Sequence, residues 1–286
     1  MKIVDGLSSD KPSFSFEISP KNEAGLKGLY EAIEYLIPTN PLFVSVTYGA
    51  GGTTRGQTVE ISAHIKNSMG VETMAHLTCL GHSVQELEEI LVKLRENGVE
   101  NVLALRGDPP KDGSAGPSGF KYAAELVKFI RARGDFCICA ACYPEKHTES
   151  SSFERDLDHL KEKVDAGVDF LITQLFFKPE IYFRFVEKAH SRGIKVPIIP
   201  GIMPVTSVSQ LERFVSMCGA TIPLDLASRL EPIRESRPKV VEEGIRWSVE
   251  QSKALLEGGA PGIHFYTLNR SHSARIICER LSGFGA

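Results

Sequence analysis

The chain has 286 residues, 42% of them apolar, and its 33 basic and 36 acidic residues leave a formal charge of -3. That apolar share is enough to bury a substantial core, and the near-neutral balance argues against the cationic footprint of a nucleic-acid binder. No apolar stretch reaches the roughly 18 residues of a membrane span, and the opening MKIVDGLSSDKPSF lacks the apolar centre of a secretory signal, so a cytoplasmic protein without a membrane partner is expected.

Along the chain, eight short apolar runs recur: Phe14 to Ser19, Leu42 to Gly49, Thr73 to Cys79, Asn101 to Gly107, Cys137 to Tyr143, Phe170 to Gln174, Pro197 to Met203 and Gly262 to Leu268. They are rich in Val, Ile, Leu and Phe, and some lack polar alternation, as strands of a parallel sheet buried on both faces do. Helical patterns lie between them. Ser83 followed by Glu86 is a capping box opening VQELEEILVKLRENG, and Gly98 closes that helix. The same grammar gives helices ending at Gly134, Gly167 and Gly193. Eight strand–helix units in this length predict an α/β fold, a (β/α)8 TIM barrel, rather than a doubly wound open sheet. The stretch Val205 to Leu256 reads as extra helices between strands 7 and 8, and no low-complexity linker divides the chain. One barrel domain over residues 1–286 is expected, with no C-terminal regulatory domain.

The six cysteines call for no disulfide framework in a chain of this length. Cys139 and Cys142 form a lone CxxC, but strand alternation puts Cys137 and Cys139 on one face and Cys142 on the other, which is poor geometry for one metal. Buried, reduced thiols and no metal site are expected.

In such barrels the chemistry sits at the carboxyl ends of the strands. Glu17 ends the first run, Thr47 and Tyr48 the second, His76 and Thr78 lie in the third, Arg106 and Asp108 end the fourth. Tyr143 and His147 follow the fifth, Gln174 ends the sixth, and Tyr266, Asn269 and Arg270 end the eighth. A lone glutamate in an apolar strand has its pKa raised by desolvation, which suits a general acid; alternatively Glu17 forms a structural ion pair with a cation such as Arg106. Asp108 precedes a double proline that stiffens its loop, or it caps a turn. His76 alone fits a hydrogen-bonded core histidine, and the loop Gly49 to Arg55 fits a tight turn better than a phosphate cradle.

Taken together, FSFEISP, VSVTYGAGG, AHLTC, LALRGDPP, YPEKH, DLDHLKEKVDAGVDFLITQLFF, IIPGIMP and HFYTLNR resemble methylenetetrahydrofolate reductase, in collinear order from about Phe14 to about Cys278. The resemblance implies an FAD-dependent oxidoreductase of one-carbon metabolism and methionine supply. It would reduce 5,10-methylenetetrahydrofolate to 5-methyltetrahydrofolate by ping-pong hydride transfer through flavin N5. The implied cofactor contacts are Thr47, His76, Arg106, Gly107, Asp108, Tyr122, Ala123, Tyr143, His147, Asp156, His159 and Lys163. The implied catalytic residues are Glu17, the acid for opening the imidazolidine ring, Asp108, which stabilises positive charge near the pterin, and Gln174, which hydrogen-bonds the pterin. Glu17, Gln174, Tyr182 and Arg270 are the implied folate contacts.

Two positions depart from the pattern. Val208 stands where bacterial NADH-using relatives carry an aromatic residue that stacks on the nicotinamide, and Glu162 stands before Lys163 where a basic residue is expected. The donor is therefore left open among NADH, NADPH, and ferredoxin or an electron-transfer partner subunit. A homo-oligomer is expected. A flavin-free folate-binding methyltransferase and a non-catalytic barrel subunit are the alternatives from other classes.

Overall fold

The computed structural model describes residues 1–7, 11–20, 25–48, 57–108 and 118–283. The first six strands are β1 (Ser13–Ile18), β2 (Phe43–Val46), β3 (Thr73–Thr78), β4 (Asn101–Leu105), β5 (Cys137–Cys142) and β6 (Phe170–Thr173). Three more segments follow, β7 (Ile198–Ile199), β8 (Gly201–Ile202) and β9 (Gly262–Tyr266). Every pairing is parallel, in the order β7-β6-β5-β4-β3-β2-β1-β9-β8.

β7 and β8 are two halves of one stave, broken at Pro200, which has no N–H for the ladder. Ile198 and Ile199 pair with β6, whereas Gly201 and Ile202 pair with β9, and the His264 N–H donates to the Pro200 carbonyl at 3.0 Å. The nine segments thus make eight staves, and the seventh closes the barrel by changing partners part-way along.

Period-two alternation sorts the strand side chains into two cores. Phe43, Met74, Leu103, Cys137, Cys139, Phe170, Ile172 and Ile199 fill the interior, joined by Ile3 and Leu7 from the short helix α1 (Ile3–Gly6) and the residue after it. Phe16, Leu77, Val102, Ile138, Cys142 and Leu171 face outward onto the helices. Cys137 and Cys139 therefore separate from Cys142 as the alternation anticipates, and burial pushes the Cys137 thiol up to about 12.

The outer ring is α2 (Leu26–Leu36), α3 (Gln57–Met69), α4 (Val84–Glu96), α5 (Ala123–Arg131), α6 (Phe153–Asp165), α7 (Pro179–Ser191) and, after the insertion, α11 (Ser271–Leu281). α4 has both halves of its capping box, with Ser83 N–H to Glu86 Oε2 at 2.7 Å and Glu86 N–H to Ser83 Oγ at 3.2 Å. Gly98, Gly167 and Gly193 take the left-handed backbone that ends a helix and turns the chain into the next strand. Gly134 does not: α5 has already ended at Arg131, and Gly134 sits against the ring of Phe136 in an ordinary conformation.

The insertion forms α8 (Val208–Cys218), α9 (Leu224–Leu230) and α10 (Arg237–Glu257) around a satellite core that includes Leu175, Phe177, Val205, Leu226 and Trp247. Trp247 Nε1 donates to the Phe177 carbonyl at 3.2 Å and Gln251 Nε2 to that of Phe176 at 2.9 Å, fixing α10 beside the end of β6. No helix among the described residues is long and apolar enough to cross a membrane.

Candidate active site

β1 alternates so that Ser15 and Glu17 point into the barrel while Phe16 and Ile18 join the outer cores. Register sets Glu17 beside Ser45 of β2 and Tyr266 of β9, and its Oε2 lies 3.7 Å from Nε2 of His76. Burial pushes the Glu17 carboxyl up to about 7 and the His76 imidazole down to about 3. At neutral pH the ring is uncharged, so this contact is no ion pair. His76 Nε2 and the buried Ser45 Oγ find no hydrogen-bond partner among the described residues. An acid poised near neutrality, with unsatisfied polar atoms around it, can release or take up a proton at little cost.

The ion-pair alternative for Glu17 is not what the structure holds. Arg106 instead clasps Glu149 with both terminal nitrogens, at 2.5 and 2.7 Å. Below that pair, Glu149 N–H donates to His147 Nδ1 at 3.1 Å, and His147 N–H donates to Asp156 Oδ2 at 3.1 Å. The end of β4, the loop after β5 and α6 are thereby tied together. Tyr143 meets His147 edge-on at 4.6 Å, and burial pushes its phenol up to about 12.

On α6, Asp156, His159 and Lys163 share one face through their three- and four-residue spacing. Lys163 donates to the neutral Ala141 carbonyl at 2.7 Å, and burial holds its ammonium below the usual lysine range. Glu162 and His159 approach each other at 3.4 Å on the exposed side of the helix.

Thr47 Oγ1 donates to Ser19 Oγ at 2.9 Å, and Asn269 braces Ser19 through both its backbone groups, at 2.8 and 2.6 Å. Gly107 has φ +84°, and a Cβ there would press within 3.0 Å of Thr78, so a glycine is needed where the chain leaves β4. Asp108 follows it on the exposed rim, while its double proline and the loop Gly49 to Arg55 lie outside the described residues. Tyr122 and Ala123 open α5, with 53% of Tyr122 exposed. Gln174 follows β6 half-buried, its Oε1 taken by the Leu175 N–H at 2.8 Å. Arg270 stands exposed beyond β9.

Tyr182 does not join this group. It lies in the first turn of α7, 4% exposed, stacked on Phe176 behind the sheet, and its hydroxyl donates to the Ile198 carbonyl at 2.7 Å. A folate contact was expected there; the side chain instead packs a helix onto a strand. Val208 is likewise buried in the satellite core as the first residue of α8.

Sequence reasoning passed over Glu149, His264 and His82. Glu149 holds Arg106, and His264 shares a 2.8 Å hydrogen bond with Ser15 while stacking on Phe43 at 5.6 Å. Tyr48 and His82 share another at 2.7 Å. A histidine in the middle of the strand GIHFY was the available signal for His264; nothing in the local pattern marks Glu149.

Comparison with known proteins bears on this arrangement. A family profile described as methylenetetrahydrofolate reductase matches residues 2–282. A protein of Arabidopsis thaliana named methylenetetrahydrofolate reductase (NADH) 1 is 40% identical over 96% of this chain, which spans 50% of that protein's length. The 5,10-methylenetetrahydrofolate reductase of Escherichia coli K12 is 39% identical over 93% of this chain and 90% of its own. Among solved structures, a Clostridium thermocellum protein described as binding two copies of 5-methyl-5,6,7,8-tetrahydrofolic acid superposes with a TM-score of 0.67. It shares 16% identity and covers 96% of both chains, a likeness of fold.

Proposed function

This chain belongs to the methylenetetrahydrofolate reductase family, and from that premise we propose that it reduces 5,10-methylenetetrahydrofolate to 5-methyltetrahydrofolate with FAD as cofactor. The observation that carries the proposal is Glu17, a carboxyl held near neutral pH by burial at the barrel rim. This is the kind of acid that opening the imidazolidine ring at neutral pH requires.

The residues present fit a flavin dinucleotide. Buried His76 Nε2 lacks a partner among the described residues and suits a hydrogen bond to a polar ring edge. Lys163, bonded among the described residues to a neutral carbonyl, and Arg106 supply cations for a diphosphate, with Asp156 and His159 on the same helix face. Thr47, Gly107, Asp108, Tyr143 and His147 complete the holding set, and the exposed ring of Tyr122 with Ala123 closes its outer edge. When bound, FAD would supply two-electron hydride transfer at N5, reached in turn by the reductant and by the folate.

The chain's own residues do the rest. Glu17 gives its proton to the leaving nitrogen of the imidazolidine ring, and the carboxylate that remains is tolerated because its pKa is not far above working pH. Asp108, on the exposed rim, faces the positive charge that develops as the ring opens. Gln174 has its amide oxygen already occupied by Leu175 N–H, so its amide nitrogen is the group left to donate to a pterin acceptor. Arg270 binds the anionic end of the folate.

The donor is a reduced nicotinamide dinucleotide. A partner-delivered electron pair is the second reading, favoured by Val208, whose buried aliphatic side chain offers no ring for stacking. The deciding experiment follows flavin absorbance under anaerobic conditions. NADH or NADPH should bleach it and methylenetetrahydrofolate should restore it, and Glu17→Gln should spare the first step and slow the second. Equal slowing of both steps would refute the role of Glu17. Bleaching by reduced ferredoxin alone would establish the second reading.

A further inference from the structure

Side chains continue the seam between β1 and β9 at the rim, where the two backbones part. The ladder runs from Ser13 beside Gly262 to Glu17 beside Tyr266 and stops there. One residue further along β9, Thr267 Oγ1 donates to the Glu17 carbonyl at 2.6 Å. Beyond it, the Asn269 carboxamide takes both backbone groups of Ser19: its Oδ1 accepts from Ser19 N–H at 2.8 Å, and its Nδ2 donates to the Ser19 carbonyl at 2.6 Å. A side-chain amide thus offers β1 the donor and the acceptor that a neighbouring strand would offer.

The backbone is strained to make this clasp. Among the described residues four other than glycine take the left-handed conformation, and two of them are consecutive, Leu268 with φ +51° and Asn269 with φ +59°. Asparagine tolerates that region, but a bulky apolar residue is an outlier there. Strain of this kind persists only where surrounding contacts over-determine it. Here Leu268 packs on the satellite core, Asn269 N–H donates to Thr267 Oγ1 at 3.2 Å, and Arg270 N–H donates to the Thr267 carbonyl at 2.8 Å. Thr267 Oγ1 therefore receives one proton from the strained turn and passes its own to the strand that carries the acid.

The other edge of β1 is held as well. Thr47 N–H donates to the Ile18 carbonyl at 2.9 Å, and Thr47 Oγ1 donates to Ser19 Oγ at 2.9 Å. The segment from Glu17 to Ser19 is thus gripped from both sides just where regular pairing with β9 has ended. Glu17 is its inward-facing residue, since Ile18 joins an outer core.

We propose that Asn269 is a positioning residue for the acid: with the Thr267 hydroxyl, its carboxamide fixes the end of β1 so that the Glu17 carboxyl meets the leaving nitrogen in one orientation. The proposal rests on the reductase reading above and deepens it. Asn269 touches no reactant in this role and acts only through Glu17.

The test uses the full chain as Asn269→Gly and Asn269→Asp, alone and combined with Glu17→Gln. Both replacements accept a left-handed backbone, so both variants should fold. Asn269→Gly should slow reoxidation of the reduced flavin by methylenetetrahydrofolate about thirtyfold, within the usual loss for a misplaced catalytic group, while bleaching by NADH or NADPH stays within about twofold. In the Glu17→Gln background the same replacement should change reoxidation by no more than about twofold, because the group it aims is gone. Asn269→Asp keeps the acceptor for Ser19 N–H but sets an oxygen against the Ser19 carbonyl, so it should not restore the rate. An equal fall in both half-reactions, an equal fall with and without Glu17, or a wild-type rate in Asn269→Asp would overturn the proposal.

Infrared difference titration of the purified protein, following the protonated carboxyl signal that Glu17→Gln abolishes, needs no folate and so separates this inference from the reductase reading. Burial holds that carboxyl up to about 7 in the wild type. In Asn269→Gly the loosened strand end admits water, and the midpoint should move down toward the ordinary carboxylate range. The same midpoint in both proteins overturns the proposal.

Discussion

At the amino-terminal end of the barrel, the side chain of Asn101 is fully used. Its Oδ1 accepts from Ile3 N–H at 2.8 Å, and its Nδ2 reaches Met1 O, Glu72 Oε1 and Thr73 O at 3.1 to 3.2 Å. Around it the terminal ammonium pairs with Glu72 and Glu100 at 3.0 and 2.8 Å, and Lys66 pairs with Glu72 at 2.8 Å. At the carboxyl end, half-buried Glu17 and buried His76 lie side by side with no cation paired to Glu17 among the described residues, and His76 Nε2 has no partner among them either. One end spends its polar groups on holding strands and terminus together, while the other keeps buried groups short of partners. That difference is what a barrel with its chemistry on one rim requires.

Substitutions at the two ends should therefore separate rate from stability. The largest effect is expected from Glu17→Gln, which should slow reoxidation of the reduced flavin by methylenetetrahydrofolate by about a thousandfold, within the usual span for loss of a general acid. In the wild type that step should be fastest below pH 7 and fall about tenfold per unit above it, because the protonated acid is the active form and its pKa lies near 7. Stopped-flow reoxidation across pH 5.5 to 9 (roughly the stable range of a globular protein) checks both. A flat profile in the wild type would remove Glu17 from the proton transfer.

Asn101→Ala should do the opposite. It strands the buried Ile3 N–H and loosens the start of β4, so urea unfolding should show a loss of about 3 kcal/mol. The kcat/KM of the folded fraction should stay within about twofold. A comparable fall in activity would mean that the two ends are coupled and the division fails.

Glu17→Gln also sharpens the comparison through stability. Below an unfolded-state pKa of 4.5 the acid is protonated in both states and contributes no pH dependence. Between 4.5 and about 7 the unfolded chain releases its proton and the folded chain does not, so wild-type stability falls as pH rises. Above that window the penalty levels off at roughly 3 kcal/mol, and glutamine escapes it. The variant should therefore gain on the wild type between pH 4 and 8 (about the span of that window) in denaturant titrations. A constant difference would mean that the carboxyl is not desolvated.

How far the sequence discloses these two ends follows from the range of the interactions. The eight runs and the helix starts are local patterns, and the barrel and its rim followed from them. The division of the seventh run at Pro200 depends on which neighbour each half meets, and IIPGIM carries no local sign of that. Glu17 was legible because an acid in an apolar strand is conspicuous by itself. The packing of Tyr182 was not legible because its motif neighbours lie at the rim, whereas helical phase turns its ring onto Phe176 and the sheet. His264 and Ser15, 249 positions apart, became partners only when β9 closed against β1.

The smallest expected effect lies where the rim does satisfy a charge. Arg106 is held in a two-pronged pair with Glu149, whose side chain is 59% exposed. If Arg106 is to serve a diphosphate, Glu149 competes for the same guanidinium, and the pair must open or share. An exposed pair is worth little, so Glu149→Gln should tighten FAD binding only about two- to fivefold, with the gain shrinking as salt is added. Fluorescence titration of the apoprotein with FAD measures it. Weaker binding in the variant would mean that Glu149 aims Arg106 rather than competing for it. The network from Arg106 through Glu149 and His147 to Asp156 would then be a preformed cradle, and this part of the rim would resemble the satisfied floor more than the unsatisfied acid beside it.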